Sequence, residues 1–291
     1  MVADAGTLTG PVTGTAAGVP FLALPPATGG LPAPLVVGLH AFEPPRAEAS
    51  LAGTLPMAAL PAWRIHLGLP LFGSRLPEGG VPEVNRRGER DHLVDLFAPV
   101  VEQAAAELRA AVSELRSAFP VTDAPVGLAG VGAGAAAVLL TLAEGRMPVG
   151  AAAVVNPVVD PALVVTARAR RDGTPYGWTD RALQARARLD FVGRADEIAR
   201  GRVPLLVVNG GLDDVVAPEQ GGALCDALAG HAPEHALRHI VVPDLAHAIG
   251  PEPGLEPGRP TPAGVLVDRA LTEWFHRHLT SSTQVRASAE A

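Results

Sequence analysis

The chain has 291 residues, of which 48% are hydrophobic and 18% are charged, and its formal net charge is -7. This length is sufficient for one large domain with a well-buried core, and the negative charge argues against nucleic acid as the main partner. The single cysteine, Cys225, excludes an intrachain disulfide. The N-terminal residues lack the charged-then-apolar order of a secretory signal, so we expect a cytoplasmic protein.

Predicted strands and helices alternate along the chain, as a parallel sheet requires. The apolar strand segments are typical of a sheet that helices cover on both faces, and the helical segments carry apolar residues at helical spacing. In chain order the pattern predicts strands at 20–26, 34–40 and 63–71, a helix at 100–119, a strand at 125–130, a helix at 133–145, strands at 149–157 and 203–211, a helix at 218–231, a strand at 237–244 and a helix at 262–279.

Three further segments bear on the domain organisation. Residues 161–202 separate two predicted strands and are too long for a simple crossover, so we expect a small cap there, with Tyr176 and Trp178 as pocket residues. We expect one domain over 1–280 and a disordered tail at 281–291.

The uncharged run 126–143 has the length of a membrane span. Its glycine-rich first half favours a buried strand and helix, so we expect no membrane contact.

Four short motifs lie at the carboxyl ends of predicted strands, where open α/β sheets place their sites. The segment GVGAG at 130–134 matches G-x-S-x-G, except that Gly132 stands where the serine would be. Asp213 lies in the turn after the strand at 203–211, and His247 follows the last strand. His40 ends the strand at 34–40, and the backbone N–H groups that follow it are placed to form half of an oxyanion hole.

The order of elbow, acid and histidine resembles the α/β-hydrolase family, particularly its dienelactone-hydrolase and prolyl-oligopeptidase-like branches. The resemblance extends from the strand at 34–40 to the final helix. It implies an α/β-hydrolase fold, with a mostly parallel central sheet and helices on both faces. Gly132 departs from the family pattern. Because glycine has no side chain that could attack a carbonyl carbon, an acyl-enzyme mechanism cannot run through this residue.

The resemblance also implies roles for individual residues. Asp213 would orient His247, and His247 would be the general base. The Ala133 N–H, together with that of Ala41 or Phe42, would bind an oxyanion. Each feature also has a purely structural interpretation, since an aspartate in a loop is commonly a turn former and His247 is one of nine histidines.

The glycine-rich segment has a second functional interpretation, as a dinucleotide-binding loop. Gly130, Gly132 and Ala135 also satisfy G-x-G-x-x-A after a strand. That motif requires an acidic residue at the end of the next strand to hold the ribose, whereas this strand ends with Asn156 and Pro157. The sequence therefore favours the hydrolase elbow.

Other nucleophiles and metals have less support. Ser74 follows a predicted strand but is typical of a loop hydroxyl, and Cys225 lies among apolar neighbours in a predicted helix, where a buried, inert thiol is expected. The histidine pairs lack the spacing of metal ligands. We therefore expect neither a metal nor an organic cofactor.

Two functions stay open, both with a small molecule in a pocket framed by His40, Gly132, Asp213 and His247. In the first, the protein is an enzyme for a small acyl, ester or lactone-like substrate. His247 is then a base on water or on substrate, and backbone N–H groups stabilise the oxyanion. In the second, the protein is a catalytically inactive pseudohydrolase that serves as a ligand-binding or scaffold protein.

Overall fold

Parallel pairing dominates the central sheet of the computed structural model, which describes residues 10–27, 32–231 and 236–280. Within these residues eight strands form one sheet in the order β1-β2-β4-β3-β5-β6-β7-β8. Both pairings of β2 are antiparallel and all later pairings are parallel, which confirms the predicted fold class. The strands are Val12–Ala16 (β1), Val19–Leu24 (β2), Leu35–Leu39 (β3), Trp63–Leu67 (β4), Val126–Val131 (β5), Val149–Val155 (β6), Leu205–Gly210 (β7) and Leu237–Val242 (β8).

Helices cover both faces of the sheet. Leu51 of α1 and Trp274 of α9 belong to the apolar core on one face, whereas Leu108 of α3, Leu139 of α4 and Leu224 of α8 belong to the core on the other. In the described residues the α-helices are Glu48–Thr54 (α1), Gly80–Asp91 (α2), Ala98–Ala118 (α3), Ala133–Glu144 (α4), Pro161–Asp172 (α5), Asp180–Leu189 (α6), Ala195–Arg200 (α7), Pro218–Ala229 (α8) and Pro262–Phe275 (α9).

The elements that the sequence analysis missed are polar or short. Strand β1 is an edge strand with three exposed residues in succession, so it lacks the alternation that predicts a strand. Helix α2 buries only Val84 and Gly88, and a π-helical segment, His92–Phe97, joins it to α3. The region predicted as a cap contains α5, α6 and α7. The predicted tail at 281–291 lies outside the described residues.

The uncharged run at 126–143 forms β5 and most of α4, and both are buried. Two glycines permit this close packing. A Cβ atom at Gly130 would collide with the carbonyl oxygen of Gly134, and one at Gly134 would collide with the carbonyl oxygens of Leu39 and His40. The outer glycines of GVGAG are thus required because α4 lies directly against β5 and the end of β3. In the part of the chain that the structure describes, no helix has the length and apolar character needed to cross a membrane.

Candidate active site

The turn between β5 and α4 places Gly132 at the carboxyl edge of the sheet. Its backbone has φ 52° and ψ -115°, a conformation that side-chain-bearing residues rarely adopt. A Cβ atom built on Gly132 would lie 3.9 Å from Nε2 of His247 and 3.1 Å from Cβ of Ala41. A side chain at this position would therefore face the imidazole, in a space that Ala41 makes tight.

Asp213 holds His247 from the opposite side of the ring. The imidazole Nδ1 lies 2.8 Å from Oδ2 of Asp213, whose side chain is 0% exposed. The other carboxylate oxygen accepts hydrogen bonds from the backbone N–H groups of Val215 and Val216, at 2.9 and 2.7 Å. Because these bonds fix the carboxylate, Nδ1 carries the proton that it donates to Asp213, and Nε2 points toward Gly132.

Asn156, at the tip of β6, fixes the loop that carries His247. Its side-chain amide donates to the carbonyl oxygens of Ala246 and His247, at 2.8 and 3.1 Å. Its side-chain oxygen accepts the N–H of Gly210, the last residue of β7, at 2.7 Å. Asn156, whose position argued against a dinucleotide-binding loop, thus connects the tip of β6 with the end of β7 and with the His247 loop.

Glu43 is a site residue that the sequence analysis missed. Its Oε2 lies 3.6 Å from Nε2 of His247, and its side chain is 44% exposed. The signal in the sequence was an acid immediately after the predicted oxyanion donors, in HAFEPPR. The imidazole therefore lies between two carboxylates, one buried and one that faces solvent.

The two carboxylates decide the protonation state of the ring. Burial by itself would lower the pKa of His247, but the hydrogen bond to Asp213 and the close negative charges of Glu43 and Asp213 raise it to about 10. Burial would raise the pKa of Glu43, and the contact with His247 outweighs this and lowers it. At neutral pH His247 is consequently an imidazolium, and Glu43 is ionised.

The structure corrects one of the expected oxyanion donors. The Ala41 N–H donates to the carbonyl oxygen of Pro45 at 3.0 Å, so it is already engaged. The Phe42 N–H has no hydrogen-bond acceptor within the described ranges. Helix α4 begins at Ala133, whose N–H belongs to the first turn and has no intrahelical acceptor. Phe42 and Ala133 therefore remain the candidate donors.

A cavity of about 360 Å³ adjoins the site on the side of Glu43. Its volume suits a small organic molecule. Phe42 and Phe72 form part of its wall, with their rings stacked at a centroid distance of 4.2 Å. The cavity is lined by Phe42, Glu43, Arg46, Phe72, Gly73, Leu76, Val81, Val84, Asn85, Gly88, Glu89, His92, Leu96, Arg168, Pro253 and Leu255.

The three predicted pocket residues do not line this cavity. His40 is fully buried; its Nε2 accepts the Leu69 N–H at 2.9 Å and its Nδ1 donates to the Ala41 carbonyl at 2.9 Å. Burial lowers the pKa of His40 to about 4, so the ring is neutral. Tyr176 and Trp178 are in edge-to-face contact at 5.0 Å, and the Tyr176 hydroxyl donates to Asp91 at 2.8 Å. These residues anchor loops and the cap.

The alternative nucleophiles have other environments. The Ser74 hydroxyl donates to Glu48 at 2.6 Å. Burial raises the pKa of the Cys225 thiol to about 11, so little reactive thiolate exists at neutral pH. Across the described residues, no group of three histidine, cysteine, aspartate or glutamate side chains is arranged to hold a metal ion.

Comparison with known families identifies the chain. Residues 102–280 match the model of the prolyl oligopeptidase family. The chain belongs to this family. The matched segment of this prolyl oligopeptidase family member runs from α3 to the end of the described residues, and so includes Gly132, Asp213 and His247. A search of curated proteins gives no significant match.

Solved structures support the fold. TT1662 from Thermus thermophilus superposes with a TM-score of 0.60 at 21% identity, over 92% of this chain and 97% of that chain. Est1E from Butyrivibrio proteoclasticus gives 0.60 at 14% identity, over 93% and 99%. A puromycin-hydrolysing peptidase from Mycobacterium tuberculosis gives 0.63 at 18% identity, over 96% of this chain but 41% of the peptidase. The chain thus spans nearly the whole length of the first two structures but less than half of the third.

Proposed function

We propose that this protein hydrolyses a small ester or related acyl compound without forming an acyl-enzyme. The observation that carries the proposal is the 3.6 Å contact between Glu43 and Nε2 of His247. In a serine hydrolase the nucleophile's hydroxyl would be the partner of this nitrogen. Here a carboxylate is its partner, and Gly132 has no side chain to attack a carbonyl.

The protonation states support a revised assignment of roles. The sequence-based hypothesis made His247 the base, but an imidazolium with a pKa of about 10 has no free nitrogen to accept a proton at neutral pH. Glu43 is ionised and faces the cavity, so we assign it as the base that activates water. His247 then becomes the general acid, and Asp213 orients it.

Glu43 and His247 account for every proton transfer in the proposed reaction. A water molecule adds to the ester carbonyl carbon while Glu43 takes one of its protons. The N–H groups of Phe42 and Ala133 stabilise the oxyanion of the tetrahedral intermediate. His247 donates its Nε2 proton to the leaving alkoxide as the acyl–oxygen bond breaks. Proton transfer from Glu43 to His247 restores both groups, and the products are an acid and an alcohol.

A ligand-binding pseudohydrolase is the second candidate, and a specific observation favours it. His247 is 8% exposed and has a carboxylate at each nitrogen. The cavity reaches Phe42 and Glu43, but neither Gly132 nor His247 is among the residues that line it. In this function the ion pairs stabilise the floor of a binding site and catalyse nothing.

Hydrolysis of small activated esters, such as p-nitrophenyl acetate and butyrate, tests the proposal. We expect slow turnover with no initial burst and no acylated protein in the mass spectrum. Because a general base contributes roughly 10²- to 10⁴-fold, Glu43→Gln should reduce kcat by at least tenfold. His247→Gln should reduce it similarly with an alkyl ester such as ethyl butyrate, whose alkoxide must be protonated, and less with the p-nitrophenyl esters, whose leaving group departs as an anion.

Glu256→Gln is the matched control, since it makes the same change at an exposed glutamate that does not line the cavity. It should retain the activity of the unmodified protein. Turnover that survives both Glu43→Gln and His247→Gln would refute the mechanism. No turnover above the solvent rate with any ester, from a folded protein, would favour the pseudohydrolase.

A further inference from the structure

Apolar side chains form one part of the cavity next to Glu43 and extend to its exposed rim. Leu76, Val81 and Leu255 line it and are 42%, 54% and 46% exposed, although they are large hydrophobic residues. The stacked rings of Phe42 and Phe72 line the same cavity. Exposed apolar surface concentrated at the mouth of one cavity is typical of a site that receives an apolar ligand.

A cation without a carboxylate partner lies in the same cavity. Arg46 lines the cavity and pairs with Glu252 at 3.1 Å. Arg168 projects from α5 in the cap and lines the cavity as well. Within the described residues it has no carboxylate oxygen within 4.0 Å, and its guanidinium is 3.5 Å from the Gly88 carbonyl oxygen. Its positive charge is thus available to an anion inside the cavity.

The pKa of His92 depends on the charges of both Arg168 and Glu43. Burial lowers the pKa of His92 to about 4, Arg168 lowers it further, and Glu43 opposes the change. Both charged groups therefore act on the same ring, from within one cavity. His92 is neutral at pH 7, so it adds no charge. The lining also holds the carboxylates of Glu43 and Glu89, but neither forms an ion pair with Arg168 among the described residues.

We infer that the ligand is an amphipathic monocarboxylate, whose carboxylate binds Arg168 and whose apolar body lies against Phe42, Phe72 and Leu255. One planar guanidinium matches one carboxylate in a bidentate contact. This inference deepens the proposed function, because the ester to be hydrolysed would carry this separate carboxylate. The ester group would lie at Glu43, and the acid at Arg168 would fix its position.

Binding of two non-ester probes, measured by calorimetry at low salt, tests the inference independently of hydrolysis. The probes are 3-phenylpropanoate and its neutral isostere 3-phenylpropanamide. We expect the acid to bind at least tenfold more tightly than the amide. Arg168→Gln should remove most of that difference, because a charge-assisted contact is lost, and should weaken binding of the acid far more than binding of the amide. Leu255→Asp should weaken both probes.

Arg170→Gln is the matched control, because Arg170 is an exposed arginine of the same helix that does not line the cavity. It should bind like the unmodified protein. Equal affinity for acid and amide, or a preference that persists in Arg168→Gln, would overturn the inference, as would no binding of either probe at millimolar concentration. Because neither probe is an ester, Arg168-dependent binding without any ester hydrolysis would refute the proposed function alone.

Discussion

The carboxylate of Glu43 lies 3.6 Å from Nε2 of His247, on the side of the ring opposite Asp213. A catalytic imidazole in a serine hydrolase has one carboxylate and one hydroxyl as partners. This imidazole has two carboxylates, and the elbow residue beside it is glycine. The second negative charge stabilises the imidazolium and so contributes to the raised pKa of His247.

NMR titration should show this protonation state directly. We expect the His247 ring signals to remain those of an imidazolium until the pH approaches about 10. Glu43→Gln removes one of the two charges that favour the cation, so the pKa of His247 should fall by about 1 to 3 pH units. Glu256→Gln should leave it unchanged. A His247 that titrates near its ordinary pKa of 6.5 would contradict the two-carboxylate arrangement.

The pH dependence of ester hydrolysis separates the two assignments of the base. If Glu43 is the base and His247 the acid, activity requires ionised Glu43 and protonated His247. With an alkyl ester such as ethyl butyrate, whose leaving group needs a proton, kcat/KM corrected for hydroxide hydrolysis should then be flat through neutral pH and should fall above the His247 pKa of about 10. A rise through the same pH range would instead identify neutral His247 as the base.

Gly132→Ser should convert the elbow into one that carries a nucleophile. Serine must adopt the positive φ of 52° there and lie close to Ala41, so we expect a folded variant that is less stable by about 1 to 3 kcal/mol. A fluorophosphonate should label Ser at position 132 only slowly in this variant. Labelling should be much faster when Glu43→Gln is added, because the imidazole then regains a basic nitrogen.

The unmodified protein and a Gly132→Ser variant that also carries His247→Gln are the negative controls for this labelling. Neither should react, since one has no hydroxyl at the elbow and the other has no base. Equal labelling rates with and without Glu43→Gln would show that Glu43 does not restrain the imidazole. Asp213→Ala should slow labelling less than His247→Gln, because the acid orients the ring and takes no proton.

Asn156→Ala should impair the site through the position of His247. The variant leaves the Gly210 N–H without its acceptor and removes the donor to the Ala246 and His247 carbonyls. A buried unsatisfied donor costs about 1 to 3 kcal/mol, which thermal denaturation will measure. We also expect a lower kcat at unchanged KM. Because the hydrogen bonds of Asn156 in the described part of the chain go to the His247 loop and β7, a change confined to KM would exclude this positioning role.

Two glycine-to-alanine variants test the close packing of α4. At Gly134 the new Cβ would meet the carbonyl oxygens of Leu39 and His40, so Gly134→Ala should be strongly destabilising. Gly222 lies inside α8, and its nearest neighbour would be a side-chain atom of His239 at 3.8 Å, an ordinary contact. Gly222→Ala should therefore be neutral or stabilising by about 0.5 to 1 kcal/mol. Unfolding midpoints in denaturant compare the two directly.

The sequence alone predicted the main strands and the helices that pack on them, because their apolar periodicity is a local property. It also predicted the family. Gly132, Asp213 and His247 each follow a predicted strand, in the order of elbow, acid and histidine, and a strand end followed by a turn can be recognised in a short window. It did not predict β1, where three of the five residues are exposed in succession, or α2, which is rich in charged residues and buries only Val84 and Gly88.

Only the tertiary structure decided the chemistry of the site. Glu43 and His247 are about two hundred positions apart in the chain, and their contact depends on how the β3 loop lies over the elbow. The engagement of the Ala41 N–H by Pro45 and the placement of His40 outside the cavity are likewise outcomes of loop packing. Protonation depends on distances between charges and on burial. A linear pattern carries neither quantity, so the sequence indicated His247 as a base but did not reveal the second carboxylate, Glu43, beside its Nε2.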